Sequence, residues 1–582
     1  MIDSKFIKNI LLGQRYIADI NIKELSPYKN HDYLNIIYCS LEVKTDWVPI
    51  VIGIPKNWET NLFDIYLNLK ELPFIPHIDR NGKLCLFEFE GILFDLDFEG
   101  LLSTCILKAR DIIYDGLNKN NSKDFILEFD SYLKLIPNIR IAQVSIPNDK
   151  KNQKIKYSEK GKALRGGGES YKDYLIRKQF IKLFASNESL DFSTWNLETS
   201  IKNGAYFYID VSSFIYPPDY RNFQIIDFLN NLLSYVDIKD FQYILKKCKR
   251  EYLFVFEIHQ KKDLTNFFGV LITGAEYEYT NSIVKLRKCV DITPVQIERI
   301  DKEFLTNRTS QEENLLTNKS ILLIGCGSIG GYVFFNLIKS GCEDITLVDF
   351  DLFKNENIYR HLLGVESVGI KKVDALKQYA KKTLPKLKIK TMNEKIELLA
   401  LNKNNDFDFD NYDYVISATG NHNVNKWLNK YASENSINTS FFYIWNEPLD
   451  LGCHVAFINH KKQGCYECLF DLDINENVLY DKASYCAPNQ EFTKNVSGCG
   501  GTFIPYGSSI SLKSSLLFMD CFKKAIYNKL NNNFIASEKG DDYYYKKAGF
   551  KVSEGYISQK NKIEIIEGDN FFNDKCKICG KR

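Results

Sequence analysis

A glycine-rich turn between a short apolar run and a helical pattern is the feature that most constrains the fold of this chain. Residues 321–324 are consistent with a buried strand, and the turn after them reads G-C-G-S-I-G-G. Its glycines Gly325, Gly327 and Gly330 have the spacing that lets a backbone approach a phosphate at a helix N-terminus. Asp349 follows the next apolar run, where a carboxylate can bind ribose hydroxyls. Alternating strands and helices predict a Rossmann-like parallel sheet, and hence an α/β nucleotide-binding domain.

The residues on either side of this segment indicate which reaction the nucleotide serves. The glycine turn alone is typical of NAD-dependent dehydrogenases, in which the pyrophosphate rests on the helix N-terminus. Here two cations, Arg360 and Lys372, follow Asp349, and Arg308 precedes the first strand. Cleavage of ATP between its α- and β-phosphates needs positive charge near the leaving group. The cations therefore favour adenylation, with Arg308 a candidate to act across a dimer interface.

This segment resembles the ThiF family of ubiquitin-activating and sulfur-carrier adenylyltransferases. The family motif runs D-x-D, N-x-x-R and V-G-x-x-K, and it is matched by Asp349, Asp351, Asn357, Arg360 and Lys372. The resemblance implies that Asp349 binds the ribose of ATP, and that Asn357, Arg360 and Lys372 face its phosphates. The family also has an acid after a later strand that helps to bind Mg²⁺. Here that stretch, residues 418–421, reads A-T-G-N, so either Asp351 or the phosphates would hold the metal.

Two C-x-x-C pairs predict a structural zinc site formed by Cys465, Cys468, Cys576 and Cys579. Four thiolates at this spacing suit tetrahedral Zn²⁺ in a reducing compartment. A redox pair is the alternative interpretation of a single C-x-x-C, and the presence of two pairs argues against it. The ThiF resemblance agrees, because G-C-Y-x-C-L-F begins the zinc pair of many adenylyltransferases.

Cys499 is the candidate nucleophile for an activated carboxyl group. It lies in S-G-C-G-G-T, where glycine neighbours leave room for a bulky acyl-adenylate. A thiolate can attack such a mixed anhydride and leave again later. Its position relative to the zinc pair resembles that of the catalytic cysteine in the activating-enzyme family. The alternatives are a buried turn cysteine, or Cys486 as the nucleophile on the same loop.

Cys85 is a second candidate nucleophile, near the N-terminus. It follows the extended segment Ile75-Pro76-His77 and an Asn-Gly turn, between strand patterns and a helical pattern that runs from about residue 101 to 117. Residues 30–135 thereby resemble the α+β ubiquitin-conjugating fold, whose signature is H-P-N followed by G-x-x-C-L. His77 stands where that signature has Asn. It would support an oxyanion or orient an attacking amine, or else be a plain turn histidine.

The order of these parts resembles the fused ubiquitin-conjugating and ubiquitin-activating enzymes of bacterial CBASS antiphage systems. We expect a conjugating-like domain at 1–145, a linker at 146–170, a mixed middle domain at 171–300 and an adenylation domain at 301–582. The resemblance implies a homodimer that uses ATP, Mg²⁺ and Zn²⁺. It also implies transfer of a protein C-terminus, that of a cGAS-like nucleotidyltransferase, through Cys499 and Cys85 to a target lysine.

Composition excludes several other classes of protein. A net charge of +2 offers no broad field for nucleic acid, and we find no apolar run long enough to span a membrane. The N-terminus lacks the apolar core of a secretory signal, so we expect a cytoplasmic protein. The remaining alternatives are a sulfur-carrier adenylyltransferase, a scaffold that only binds nucleotide, and an NAD-dependent oxidoreductase.

Overall fold

A computed structural model gives the chain as two compact units, Met1–Asp301 and Lys302–Arg582. The structure describes residues 3–25, 32–70, 72–87, 97–146, 149–159, 183–186, 201–245, 251–261, 264–280, 283–306, 316, 318–384, 387–402, 406–473, 478–492, 494–495, 502–503, 505–527 and 532–580.

The first unit begins with an antiparallel sheet in the order β1-β2-β3-β4, covered by two helices. Burial alternates along β2, as a strand with one core face requires. That face packs on the helix Phe98–Leu117, whose buried stripe includes Leu102, Ile106 and Ile113. The strands are Ile17–Glu24 (β1), Tyr33–Val43 (β2), Asp46–Pro55 (β3) and Asp64–Leu67 (β4), and the N-terminal helix is Ser4–Leu12. The helix predicted at about residues 101–117 is confirmed, and β2 and β3 correspond to the strand patterns expected before Cys85.

The rest of the first unit is a closed barrel in the order β10-β13-β5-β7-β6-β8-β9. Apolar side chains such as Tyr157, Tyr206 and Phe267 fill one of its buried clusters. Its strands are Arg140–Val144 (β5), Gln153–Glu159 (β6), Leu183–Ser186 (β7), Lys202–Asp210 (β8), Tyr252–Gln260 (β9), Leu264–Thr273 (β10) and Asp291–Arg299 (β13), with a hairpin of Glu276–Thr280 (β11) and Ile283–Lys288 (β12). The associated helices are Asp124–Leu127, Phe129–Leu133, Ile225–Leu233 and Ile238–Leu245.

The barrel differs from the linker predicted at 146–170. Strand β6 lies inside that range and pairs with β7 and β8, while β5, assigned to the first domain, pairs with β13 and β7. The polar and basic character of the segment hid the strand, because several of its side chains face outward while Ile155 and Tyr157 are buried. Residues 160–170, with the expected glycine run, lie outside the described residues.

The second unit contains an eight-stranded sheet in the order β16-β15-β14-β17-β18-β19-β24-β25. The five strands from β16 to β18 are mutually parallel, and the last three join antiparallel. Its eight strands are Ser320–Ile324 (β14), Asp344–Val348 (β15), Lys388–Met392 (β16), Tyr414–Ser417 (β17), Ser440–Asn446 (β18), Gly452–Ile458 (β19), Phe534–Lys539 (β24) and Ile563–Glu567 (β25). Two separate two-stranded sheets are formed by Phe470–Asp473 (β20) with Val478–Asp481 (β21) and by Lys494–Asn495 (β22) with Thr502–Phe503 (β23).

The order of the parallel strands reverses at β14. The chain runs outward from β14 to β15 and β16, and then returns to the other side of β14 as β17 and β18. Ligands of such sheets bind in the crevice at the carboxyl ends of the strands beside this reversal. The helices of the unit are Lys302–Thr306, Ser328–Lys339, Lys372–Thr383, Ile396–Leu401, His422–Glu434, Ser508–Ile526, Tyr543–Lys547, Glu554–Ser558 and Gly568–Phe571.

The length and apolar character of the helices bear on whether any of them could cross a membrane. Within the ranges described above, no helix combines the length and apolar character that crossing a bilayer demands.

Candidate functional site

The glycine turn occupies the carboxyl end of β14, where the strand order reverses. Gly325 has φ of 86°, and a β-carbon there would lie 2.9 Å from the backbone of Thr419 at the end of β17. A β-carbon on Gly330 would lie 1.9 Å from the Gly325 carbonyl oxygen. Gly327 instead faces open space and caps the helix Ser328–Lys339. Two glycines thus permit the tight turn, and the third leaves the helix N-terminus accessible to a phosphate.

Asp349 is held against this turn by two backbone donors. The Cys326 N–H donates to Oδ2 at 2.7 Å, and the Asp351 N–H donates to Oδ1 at 2.8 Å. Each carboxylate oxygen can accept a further hydrogen bond. Ribose binding by Asp349 stays a prediction that this orientation supports.

The predicted cations lie around the same turn. Lys372 begins a helix, is 9% exposed, and places Nζ 2.8 Å from Asp351 Oδ2. The Arg360 guanidinium lies 5.5 Å from the ring centre of Tyr506, whose hydroxyl is 3.3 Å from the hydroxyl of Ser328 at the helix N-terminus. Two of the predicted cations therefore lie near the glycine turn.

The structure gives no direct support for a phosphate contact by the other two predicted residues, Asn357 and Arg308. The Asn357 side chain accepts from the backbone N–H of Lys354 at 3.0 Å, which fixes the short turn before Arg360. Arg308 lies outside the described residues, so its predicted role stays open.

His361 is a residue of this site to which the sequence analysis assigned no role. Its Nε2–H donates to the Cys326 carbonyl at 2.9 Å, and its Nδ1 accepts from the Leu363 N–H at 3.0 Å. Burial, together with the nearby charges of Lys372 and Arg360, lowers the pKa of His361 to about 4. A neutral imidazole therefore supports the glycine turn. The signal in the sequence was its position directly after Arg360.

Few of the described carboxylates near the glycine turn could bind a divalent metal. The stretch after β17 carries no acid, and there Asn421 accepts from the Asn423 and Val424 N–H groups as a helix cap. Asp351 is the carboxylate beside Lys372. Mg²⁺ thus remains a prediction, with Asp351 as the residue that would hold it.

The two C-x-x-C pairs meet in space. The Sγ atoms of the four cysteines all lie within 4.8 Å of one another, with separations of 3.9 Å (Cys465–Cys468), 3.7 Å (Cys465–Cys576) and 3.3 Å (Cys468–Cys579). Four sulfurs bonded to one tetrahedral zinc at about 2.3 Å lie about 3.8 Å apart. The cluster could therefore hold zinc.

Two donors to sulfur support the same interpretation. The Asn429 side-chain amide lies 3.6 Å from Cys465 Sγ, and the Ile578 N–H lies 3.5 Å from Cys576 Sγ. Such contacts stabilise and orient thiolate ligands. Without a cation, four thiolates could not share this buried site, because their charges would repel one another.

Cys486 lies at the same edge of the sheet as the glycine turn. Its thiol donates to Glu447, the residue directly after β18, with Sγ 3.0 Å from Oε2. Glu447 Oε1 is 3.0 Å from His454 Nε2, and His454 Nδ1 is 2.8 Å from the Ser537 hydroxyl. Burial and the Glu447 carboxylate raise the pKa of Cys486 well above that of a free thiol. Cys499, the predicted nucleophile, lies outside the described residues.

Cys85 lies in the first unit and is exposed. Its backbone N–H donates to the His77 carbonyl at 2.8 Å, and this hydrogen bond holds the backbone of the two residues side by side. His77 has φ of 64°, and both of its ring nitrogens are occupied. Nε2 lies 3.0 Å from Asp124 and Nδ1 lies 3.0 Å from Glu128. The ring is thus held by Asp124, at the start of one short helix, and by Glu128, between that helix and the next; the sequence analysis assigned neither carboxylate to the site.

We expect the ion pairs of His77 to make stability depend on pH. The hydrogen bond to Glu128 raises the pKa of His77; burial opposes this shift and Asp124 adds to it. The stabilisation is complete below pH 6.5 and is lost as the pH rises through the raised pKa. His77→Asn, which tolerates a positive φ, should be less stable than the wild type by roughly 1 kcal/mol at pH 6, and the gap should narrow by pH 9. Paired thermal denaturation at the two pH values measures it, and a constant gap would contradict the assignment.

Comparisons with known proteins agree with this arrangement. Residues 302–520 match the ThiF family, and residues 12–140 match prokaryotic E2 family B. The ATP-dependent ubiquitin transferase-like protein Cap2 of Pseudomonas aeruginosa is 26% identical over 249 residues, covering 40% of this chain and 43% of that protein. The adenylyltransferase and sulfurtransferase MOCS3 of Culex quinquefasciatus is 26% identical over 212 residues, covering 36% of this chain and 45% of that protein.

The chain spans less than half the length of these two relatives. A crystal structure of E. coli MccB with MccA is 20% identical at a TM-score of 0.33, covering 46% of this chain and 68% of that chain. The predicted fold class, a ThiF-type Rossmann-like domain preceded by a conjugating-type domain, is confirmed. So is the resemblance to enzymes that fuse the two.

Proposed function

We propose that this chain, with a prokaryotic E2 domain ahead of a ThiF domain, is an ATP-dependent protein-conjugating enzyme. It adenylates the C-terminal carboxylate of a protein, carries the acyl group as a thioester on Cys499 and then Cys85, and transfers it to a target lysine. The observation that carries the proposal is the crevice at β14, where an open helix N-terminus meets Lys372 and Arg360.

The first step uses the residues of that crevice. A carboxylate oxygen attacks the α-phosphorus of ATP, and the bond to the bridging oxygen of pyrophosphate breaks. Negative charge grows on the departing pyrophosphate, and Lys372 and Arg360 are the residues that would stabilise it. Neutral His361 holds the turn without adding a charge. Mg²⁺, bound with ATP, would supply further positive charge beside Asp351.

The thioester steps follow from the difference between the thiols. Attack on the acyl-adenylate forms the C–S bond, expels AMP and needs a thiolate. Glu447 keeps the Cys486 thiol protonated, which disfavours it as the nucleophile in this conformation. Cys499 is therefore the proposed first acceptor. Exposed Cys85 then takes the acyl group by transthioesterification, and a lysine amine displaces its sulfur to form an isopeptide bond.

The partners and assembly are part of the proposal. The resemblance to CBASS enzymes supports a cGAS-like nucleotidyltransferase as the protein whose C-terminus is activated, and antiphage defence in the cytoplasm as the setting. It also supports a homodimer in which Arg308 reaches the partner's nucleotide, and zinc on the four cysteines.

A test follows from the two thiols. With ATP and the cGAS-like nucleotidyltransferase, Cys85→Ala should keep one reductant-sensitive band and lose all isopeptide product, a decrease of more than about 100-fold. Cys499→Ala should lose both thioester bands and keep ATP–pyrophosphate exchange. Non-reducing gels measure both, and Cys105→Ala, a buried cysteine of the same unit as Cys85, is the matched control. Normal conjugation by both single variants would refute the relay.

A second candidate function is a sulfur-carrier adenylyltransferase, which the match to MOCS3 favours. It would use the same ATP crevice and the zinc cluster but would leave Cys85 without a role. Full product formation by Cys85→Ala, with a thiocarboxylate rather than an isopeptide as the product, would identify it.

A further inference from the structure

A cavity of about 640 Å³ opens beside Cys85 in the conjugating-type domain. One of its walls is formed by β4 and by the residues just before Cys85, which bridge to β4 through Tyr66 and Lys83. Asp64, the first residue of β4, is also part of the lining. A carboxylate and a thiol therefore face the same space.

Asp64 is prepared to bind a cation. Its Oδ2 accepts from the Tyr33 hydroxyl at 2.5 Å, and the Tyr33 oxygen lies 2.6 Å from that of Tyr66. Burial and the hydrogen bond to Asp64 raise the pKa of Tyr33, so the phenol remains a donor at neutral pH. The carboxylate side chain is 18% exposed, so its charge is poorly screened by water.

An ammonium group already lies at this carboxylate. Lys83 Nζ is 2.7 Å from Asp64 Oδ1, although the Lys83 side chain is 43% exposed. Burial is the largest single influence and lowers the pKa of Lys83, but the hydrogen bond to Asp64 and the nearby negative charges together outweigh burial, so the pKa is raised. Because the Lys83 side chain is long and 43% exposed, water can hydrate its ammonium when a second ammonium replaces it at Asp64. Lys83 thus marks where the ammonium of another lysine could bind.

We propose that this cavity is the acceptor site of the transfer reaction, in which Asp64 binds the ammonium of the target lysine in place of Lys83. The inference rests on the proposed function, since it assumes an acyl group on Cys85. The bound ammonium loses a proton to water, and its nitrogen attacks the thioester carbonyl carbon. The C–N bond forms, the C–S bond breaks, and Cys85 leaves as a thiolate. The thiolate accepts the second proton, which the nitrogen releases as it becomes an amide.

The carboxylate of Asp64, in a lining that carries two aspartates and two lysines, favours an amine over the acyl chain. A peptide acyl group that ends in a thioester is neutral near the reacting carbon, and a buried carboxylate would gain nothing from it. A lysine ammonium gains a charge-assisted hydrogen bond to Asp64, and this bond holds the amine in the cavity that Cys85 lines.

The test uses the full chain and needs no partner protein. The N-acetylglycine thioester of 2-mercaptoethanesulfonate loads exposed Cys85, with Cys85→Ala as the background measured by intact mass. The loaded chain is then chased at pH 7 with either Nα-acetyl-lysine amide, a cation, or hydroxylamine, a neutral nucleophile. We expect Asp64→Asn to slow discharge to the lysine derivative about tenfold and to change discharge to hydroxylamine less than about twofold.

Matched variants separate charge from structure. Asp111→Asn removes an exposed carboxylate of the helix Phe98–Leu117, which does not line the cavity, and should leave both rates unchanged. Tyr33→Phe keeps the charge of Asp64 and should slow the lysine reaction less than Asp64→Asn does. Equal slowing with both nucleophiles, no slowing by Asp64→Asn, or failure of Cys85 to load would each overturn the proposal. Loading and discharge without any ATP-dependent thioester would instead refute the proposed function and leave the acceptor site standing.

Discussion

Lys372→Met should lower ATP–pyrophosphate exchange by at least about a hundredfold. The change removes the ammonium while keeping most of the volume of the side chain. In the structure this ammonium is nearly buried and paired with Asp351, at the start of a helix beside the glycine turn. A cation in such a place is worth more than one in water, because the surrounding dielectric is low. Its loss should act on the bond-breaking step.

A neighbouring lysine provides the control for this effect. Lys371 is half-buried, and its Nζ donates to the Phe350 carbonyl oxygen at 2.6 Å. Lys371→Met should therefore change exchange by less than about threefold, whereas Lys372→Met should lose turnover with ATP binding retained. If Lys372→Met exchanges pyrophosphate as fast as the wild type, Lys372 does not stabilise the leaving pyrophosphate and its proposed role is refuted.

Cys576→Ser should release zinc and lower the melting temperature of the second unit by roughly 6–12 °C. Cys576 and Cys579 lie near the end of the described chain, whereas Cys465 and Cys468 follow β19. A metal shared by the two pairs would tie the C-terminal segment to the sheet. Its removal would also leave the remaining thiolates close together without a counter-charge.

Zinc content and stability are measured separately in this experiment. Elemental analysis should find one zinc per chain in the wild type and much less than one in Cys576→Ser. Cys521→Ala removes a buried cysteine from the helix Ser508–Ile526, outside the cluster, and should keep the zinc. A wild-type chain that holds no zinc, or a Cys576→Ser variant that retains it, would contradict the assignment.

The pattern of apolar residues predicted a strand or helix correctly where the burial of its side chains was uniform or alternated regularly. The buried run of β14 and the alternation of β2 predicted their elements, because burial repeats with the geometry of the backbone. Strand β6 was missed because its segment is polar and rich in lysine and so resembles a linker, although Ile155, Tyr157 and Ser158 are buried. The pairing that makes it a strand comes from β7 and β8, which are distant in sequence.

The sequence by itself determined the fold class and the order of the two kinds of domain, because glycine spacing, strand–helix alternation and paired cysteines are local patterns. It also predicted that two C-x-x-C pairs, which lie 111 residues apart in the sequence, would share one site. Only the tertiary structure decided which groups surround the reacting atoms: His361 under the glycine turn, Glu447 on Cys486, and Asp64 in the cavity of Cys85. These partners come from separate segments, and their charge and burial exist only once the chain has folded.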